Sequence, residues 1–243
     1  MKIAMKSINV KRQEIKYFFR DTDLHTIKDI LSFYMIIDSN CKNNTSYKLS
    51  SLYFDSFFND DLNQKLNGVI NRKKYRLRFY NDNFINGKFE IKRKFGNTIS
   101  KSSLPLDKKQ TLEILNNDFS SLLRKGYKAE AYELIQKIYR PKSLVTYERI
   151  AFTLPYNQIR ITIDSNLRTH GYNFNLKNNL TQGISLCPKG HQIMEIKFCD
   201  SIPKIILDAL SSFFVSRTAI SKYTSSRIFS SEDRVGDVPY FSW

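Results

Sequence analysis

In at least five segments of this chain, charged and apolar residues alternate one by one. That period of two constrains the fold more than any other feature of the sequence. Side chains alternate faces along a β-strand. Arg12, Glu14 and Lys16 therefore share one strand face, and Ile15, Tyr17 and Phe19 the other. Lys74, Arg76 and Arg78 oppose Tyr75, Leu77 and Phe79, while Glu90, Lys92 and Lys94 oppose Phe89, Ile91 and Phe95. Arg160, Thr162 and Asp164 oppose Ile159, Ile161 and Ile163, and Glu195 and Lys197 oppose Met194, Ile196 and Phe198. Arg149 stands among Tyr147, Glu148 and Ile150, where the alternation is less clean. Eight strands are predicted in all, near 10–19, 46–57, 72–80, 87–95, 97–106, 143–154, 158–164 and 191–199. Helical spacing falls between them, over 23–37, 107–116, 118–139 and 202–214, with Pro141 as the stop of the third. Strands outnumber helices and no regular βαβ spacing appears. The pattern predicts an α+β fold: an antiparallel sheet or barrel with helices packed outside.

One charged face per strand is also what an antiparallel sheet half exposed to water shows. Two features favour a different arrangement. The same mixture of cations and carboxylates recurs from strand to strand. Aromatic residues make up 14% of the chain, enough for the apolar faces to pack under helices and leave the charged faces looking at one another. An eight-stranded sheet that closes has an interior of modest width. With Lys and Arg at 39 against 23 Asp and Glu, the net charge is +16, which calls for a polyanionic partner. Unpaired charge inside a narrow, low-dielectric bore is costly, and a bound phosphate chain relieves it. Arg forks match phosphate oxygens in pairs and Lys supplies point charges. The few carboxylates among them suit a hard divalent ion. The length favours one domain over 1–243, with a core of about 8–229 and a peripheral tail at 230–243. No apolar run reaches the roughly 18 residues of a membrane span. The first ten residues lack the apolar stretch of a signal peptide, and Cys41, Cys187 and Cys199 are too scattered for a disulfide framework. A cytoplasmic setting is the expectation.

Several landmarks now stand in order: Arg12-Gln13-Glu14-Ile15-Lys16-Tyr17, Ser51-Leu52-Tyr53-Phe54-Asp55, Lys74-Tyr75-Arg76-Leu77-Arg78-Phe79-Tyr80 and Glu90-Ile91-Lys92-Arg93-Lys94. Lys101, Tyr147-Glu148-Arg149, Arg160-Ile161-Thr162-Ile163-Asp164, Glu195-Ile196-Lys197 and Ser221-Lys222-Tyr223 follow. In this set the chain resembles the VTC domain, the polyphosphate polymerase domain of the triphosphate tunnel metalloenzyme superfamily, over about residues 8–229. The resemblance implies an antiparallel eight-stranded tunnel barrel. It implies transfer of the terminal phosphoryl group of a nucleoside triphosphate such as ATP to a polyphosphate chain, with Mn2+ or Mg2+. By position, Lys16, Arg76, Arg78, Lys92, Lys101, Arg149, Arg160 and Lys222 would contact phosphate, the four arginines nearest the chemistry. Glu195 would hold the metal, with Glu14 and Glu90 as further candidates, and Lys197 joins the phosphate contacts by parity. Eukaryotic members work in membrane complexes, so a membrane-protein partner and a peripheral location are further implications.

One departure separates the branches of that superfamily. Triphosphate-hydrolysing members open with E-x-E-x-K, whereas this chain reads R-x-E-x-K, with Arg12 at the first carboxylate position. That disfavours a metal-dependent triphosphatase, the alternative enzyme, without removing Glu14 and Glu90. A non-catalytic sensor of polyphosphate or inositol phosphates is the other alternative, and retention of Glu195 speaks against it. Nucleic acid is disfavoured because the aromatics alternate opposite the basic residues, whereas a stacking platform needs both on one face. Cys187 and His191 lack the second ligand pair of a zinc site. No Walker-type glycine-rich loop is present.

Overall fold

A computed structural model describes residues 8–10, 13–41, 45–96, 98–155, 158–170 and 183–230. Arg12 and the tail 231–243 lie outside the described residues. The chain opens with β1 (Ile8–Val10) and β2 (Gln13–Arg20), a 3-10 turn, α1 (Leu24–Tyr34), β3 (Ile36–Ile37) and β4 (Tyr47–Asp55). It continues through α2 (Asp60–Leu66), β5 (Arg72–Tyr80), β6 (Asn83–Phe95) and β7 (Thr98–Pro105). Three helices follow, α3 (Lys108–Leu115), α4 (Ser120–Arg124) and α5 (Lys128–Gln136), before β8 (Arg140–Leu154) and β9 (Ile159–Thr169). The last elements are β10 (Ile184–Ser185), β11 (His191–Phe198), α6 (Lys204–Ser211), β12 (Ser216–Arg217) and α7 (Lys222–Ser230).

All strands join one antiparallel sheet, in the order β1-β7-β6-β5-β4-β8-β9-β11-β2-β12, with β10 on β9 and β3 on β8. The hydrogen-bonded path is open at both ends, yet the sheet must curl on itself. β1 lies at one edge and β2 beside the other, and only two residues separate them. Three Cα–Cα steps span at most about 11 Å. Side chains confirm the approach: Lys92 on β6 reaches Glu14 on β2 at 3.8 Å.

The apolar strand faces point outward, beneath two helical layers. Phe19, Ile161, Ile163 and Ile196 are fully buried in one cluster with Ile27 and Leu31 of α1 and Leu210 of α6. Leu77, Phe79, Phe89 and Ile91 pack with Ile114 of α3, Leu122 of α4 and Leu134 of α5. Each such side chain contributes about 1.5–3 kcal/mol on burial. The outer layer is therefore what allows the charged faces to turn inward. Asp107 and Gln110 close a reciprocal capping box that starts α3 beside the end of β7.

The sequence expectations fail at particular places. The single helix over 118–139 is two helices, α4 and α5, because Gly126 takes φ 87° and reverses the chain between them. The first helix ends at Tyr34, since Met35 is extended and Ile36–Ile37 add a short strand to β8. Pro141 does not precede a strand but sits inside β8, where the pairing with β4 shifts register between Tyr53 and Phe54. Helices α2 and α7 were not predicted. Among the described residues, no helix is long and apolar enough to cross a membrane.

Candidate functional site

Register decides which side chains share the interior. On one wall, Lys74 stands opposite Lys92, and Lys92 opposite Lys101, giving a row of three cations across β5, β6 and β7. In the next row Tyr53, Arg76, Glu90 and Ser103 face one another across β4 to β7. On the other wall, Arg160, Lys197 and Glu14 form one row across β9, β11 and β2, and Thr162, Glu195 and Lys16 the next. Arg149 and Asp164 make a third on β8 and β9. The start of α7 delivers Lys222 into this interior, where its ammonium meets Asp164 at 2.7 Å and lies over the Tyr147 ring at 4.9 Å.

The ion pairs of this interior converge on a few shared carboxylates. Glu90, 2% exposed, receives Arg76 Nε at 2.6 Å, Arg78 at 3.5 Å and Lys101 at 2.5 Å. Burial alone would raise its pKa, but Arg76, Arg78 and Lys101 outweigh it and hold the carboxyl well below its ordinary range. Asp164 is fully buried and accepts both arms of the Arg149 fork, at 2.6 and 2.7 Å. Burial opposes its ionisation, yet Arg149 and Lys222 bring its pKa down to about 2. Glu195 pairs with Lys197 and is likewise held low against burial, by Lys197, Lys16, Lys222 and Arg149. Glu14 meets Lys16 at 3.0 Å; burial and neighbouring Glu195 raise its pKa, and Lys16, Lys92 and Lys197 lower it further than that. The cations show the strain of crowding. Burial pushes Lys101 down to about 8 despite Glu90, with Arg76 and Arg78 adding to the fall. Lys92 is also lowered, by burial first and then by Lys197 and Lys16 against the pull of Glu14. Burial would raise Tyr147, but Arg78, Arg149 and Lys222 bring its hydroxyl to about 8.

The predicted residues thus fall on two facing walls. Lys16, Arg76, Arg78, Lys92, Lys101, Arg149, Lys197 and Lys222 all lie on the inner face or at its α7 edge. Arg160 shares that face but is turned toward Asp38, with which it pairs in the segment after β3, and its side chain is 30% exposed. Glu14 and Glu195 are close enough to raise each other's cost of ionisation. Glu90 is enclosed by three cations, a surrounding that does not suit a metal ligand. Three functional neighbours went unassigned in the sequence: Asp164, Tyr147 and Asp38. Parity with Arg160 was signal enough for Asp164, and parity with Arg149 for Tyr147. The unclean alternation around Arg149 has a cause: β8 and β9 shift register between Thr146 and Glu148, beside Asn166 at φ 51°. Asp38 lies outside any strand and carried no signal.

A divalent ion fits the interior only in part. Glu195 and Glu14 supply hard oxygens, and Thr162 Oγ1, buried beside Glu195 in the same row, has no hydrogen-bond partner. No group of three or more His, Cys, Asp or Glu that would hold an ion by itself occurs among the described residues. One or two carboxylates with substrate phosphate oxygens completing the shell is the usual manner of Mg2+.

The family model described as "VTC domain" matches residues 11–229. No curated protein matches the chain. Among solved structures, a protein of Bacillus halodurans provisionally named an adenylate cyclase aligns with a TM-score of 0.46 at 13% identity, covering 87% of this chain and 96% of its own. The PH1819 protein of Pyrococcus horikoshii aligns with a TM-score of 0.45 at 13% identity, covering 89% and 96%. A protein of Pyrococcus furiosus gives 0.42 at 13%, covering 83% and 86%.

Proposed function

The chain belongs to the VTC-domain family, and from that premise and the charge of its interior we propose that it is a phosphotransferase. In this reading the terminal phosphoryl group of a nucleoside triphosphate moves onto a polyphosphate chain held in the bore. One observation carries the reading: among the described residues, the cations of two facing walls outnumber the carboxylates between them. A phosphate chain offers the dense anionic oxygens that Arg forks and Lys point charges bind.

Phosphoryl transfer asks for an in-line acceptor and stabilised oxygens on the transferred group rather than for covalent help. Arg76 and Arg78 are anchored by Glu90, and Arg149 by Asp164. Their forks are therefore oriented before substrate arrives and need little reorganisation. Lys16, Lys92, Lys101, Lys197 and Lys222 supply the point charges along the chain, and Arg160 stands at the end marked by Asp38. Glu195, with Glu14 and Thr162 Oγ1, would hold Mn2+ or Mg2+ together with phosphate oxygens. Such an ion would supply Lewis acidity to the transferred phosphoryl group. No side-chain nucleophile is needed, and none is assigned. A bore that limits water would favour transfer over hydrolysis.

Purified protein incubated with ATP and Mn2+ tests the reading, with chains resolved on a gel and free phosphate measured in parallel. Chains that lengthen with time, and do not form in Arg76→Ala, are the expected result. Free phosphate without chains would replace the reading by a triphosphatase. Tight triphosphate binding with neither product would replace it by a sensor.

A further inference from the structure

Lys74 stands in the landmark run of β5 beside Arg76 and Arg78, yet no role falls to it in the reading above. It points to the same interior face, directly opposite Lys92. Its ammonium touches Ser221 Oγ at 3.2 Å and lies over the rings of Tyr53 at 5.6 Å and Tyr223 at 5.2 Å. Among the described residues no carboxylate pairs with it. Of the carboxylates nearby, Glu14, Glu90 and Asp55 are committed elsewhere, and Asp61 keeps one oxygen, Oδ2, without a hydrogen-bond partner. Glu14 serves Lys16 and Lys92, and Glu90 serves Arg76, Arg78 and Lys101. Asp55 accepts the Tyr223 hydroxyl and three backbone N–H groups, those of Ser56, Asp61 and Leu62. Asp61 accepts from Tyr139 at 3.0 Å and is itself pushed up to about 7, by burial and then by Asp55.

We propose that Lys74 is a phosphate contact whose charge is completed by the ligand: a phosphate chain in the bore supplies the anionic partner that the protein withholds from this one ammonium. The inference rests on the tunnel reading above and deepens it, because it makes substrate binding a proton-coupled event. The groups that face Lys74 are Lys92 on β6, Arg76 on β5, Lys16 on β2, Asp61 on α2, Tyr53 on β4, and Ser221 and Tyr223 at the start of α7. Burial, followed by Lys92, Arg76 and Lys16, brings its pKa down to about 7 against the pull of Asp61. Without ligand, Lys74 is then about nine-tenths neutral near pH 8. A polyanion at hydrogen-bond distance favours the ammonium, so the side chain takes up a proton as the chain enters.

The test is calorimetric titration of inorganic tripolyphosphate, without metal, near pH 8, in two buffers of different ionisation enthalpy. The parent chain is expected to take up about 0.5 proton more per bound tripolyphosphate than Lys74→Met. Lys74→Arg, whose charge is permanent, is expected to bind at least as tightly as the parent with the same reduced uptake as Lys74→Met. Near pH 6.5 Lys74→Met is expected to bind about tenfold more weakly than the parent, and the gap is expected to narrow as pH rises toward about 9. Losing a crowded buried charge does not threaten the fold, so thermal melts of Lys74→Met are expected at or above the parent's. Equal proton uptake by parent and Lys74→Met, with tripolyphosphate bound by both, would overturn the role of Lys74 and leave the tunnel reading standing. Absence of tripolyphosphate binding by the parent would overturn both.

Discussion

Replacing Asp164 by asparagine tests the buried charge pairing most sharply. The carboxylate is fully buried and bonded to Arg149 at 2.6 and 2.7 Å and to Lys222 at 2.7 Å. Its pKa falls from 3.8 to about 2, which corresponds to about 2.5 kcal/mol of folding stability at neutral pH. Removing one partner of a buried ion pair costs about 3–5 kcal/mol, because the remaining charges stay buried and unpaired. Asparagine keeps the volume and one acceptor, so the lower end, about 3 kcal/mol, is the expected loss. The sign of the pH effect follows from the depressed pKa. The stabilisation is complete above about pH 4, where the unfolded carboxyl is ionised, and is lost as pH falls toward about 2. Near pH 3 about half of the 2.5 kcal/mol should remain. Urea unfolding of parent and variant near pH 7, pH 5 and pH 3 measures this. The gap should hold between pH 7 and pH 5 and shrink at pH 3. A variant within about 0.5 kcal/mol of the parent near pH 7 would refute the pairing. So would a gap that does not shrink on acidification.

Two other expectations follow from the same geometry. Glu195→Gln should remove metal stimulation of the reaction while leaving tripolyphosphate affinity within about threefold, checked by activity against Mn2+ concentration and by metal-free calorimetry. Gly126→Ala should cost about 1 kcal/mol by urea unfolding: an added Cβ would meet nothing within 4 Å, but φ 87° is a conformation that alanine resists.

Much of this architecture was written in the period-two runs. Arg76 against Leu77, Lys92 against Ile91 and Thr162 against Ile161 each told two faces apart, because a strand offers only two. What the runs alone left open was which face looked inward. High aromatic content favoured an outer apolar layer, and Ile27, Leu31, Ile114 and Leu134 supply its helical half. Where the period breaks, the sequence misled. Gly126 ends one helix and starts the next with a single positive φ, in a stretch whose apolar spacing reads as continuous. Helix α7 reads poorly as a helix because Thr224, Ser225 and Ser226 favour turns. It is held by tertiary contacts instead: Tyr223 donates to Asp55 and Arg227 donates to the Tyr223 hydroxyl at 2.8 Å. Those bonds set Ser221 and Lys222 at the bore, so Asp55 acts on the site through Tyr223. Asp38 shows the opposite limit: a lone acid outside any strand gives no sign in the sequence that it faces Arg160.

The claim that the bore holds a phosphate chain is tested most directly by calorimetric binding of tripolyphosphate to the parent and to Arg76→Ala. Glu90 keeps Arg78 and Lys101 in that variant, so it should fold, which far-ultraviolet circular dichroism and a thermal melt would verify. The account requires one tripolyphosphate site in the parent and binding at least about tenfold weaker in Arg76→Ala, the loss of about 1.4 kcal/mol from one charge-assisted fork. A folded Arg76→Ala that binds as tightly as the parent would contradict it.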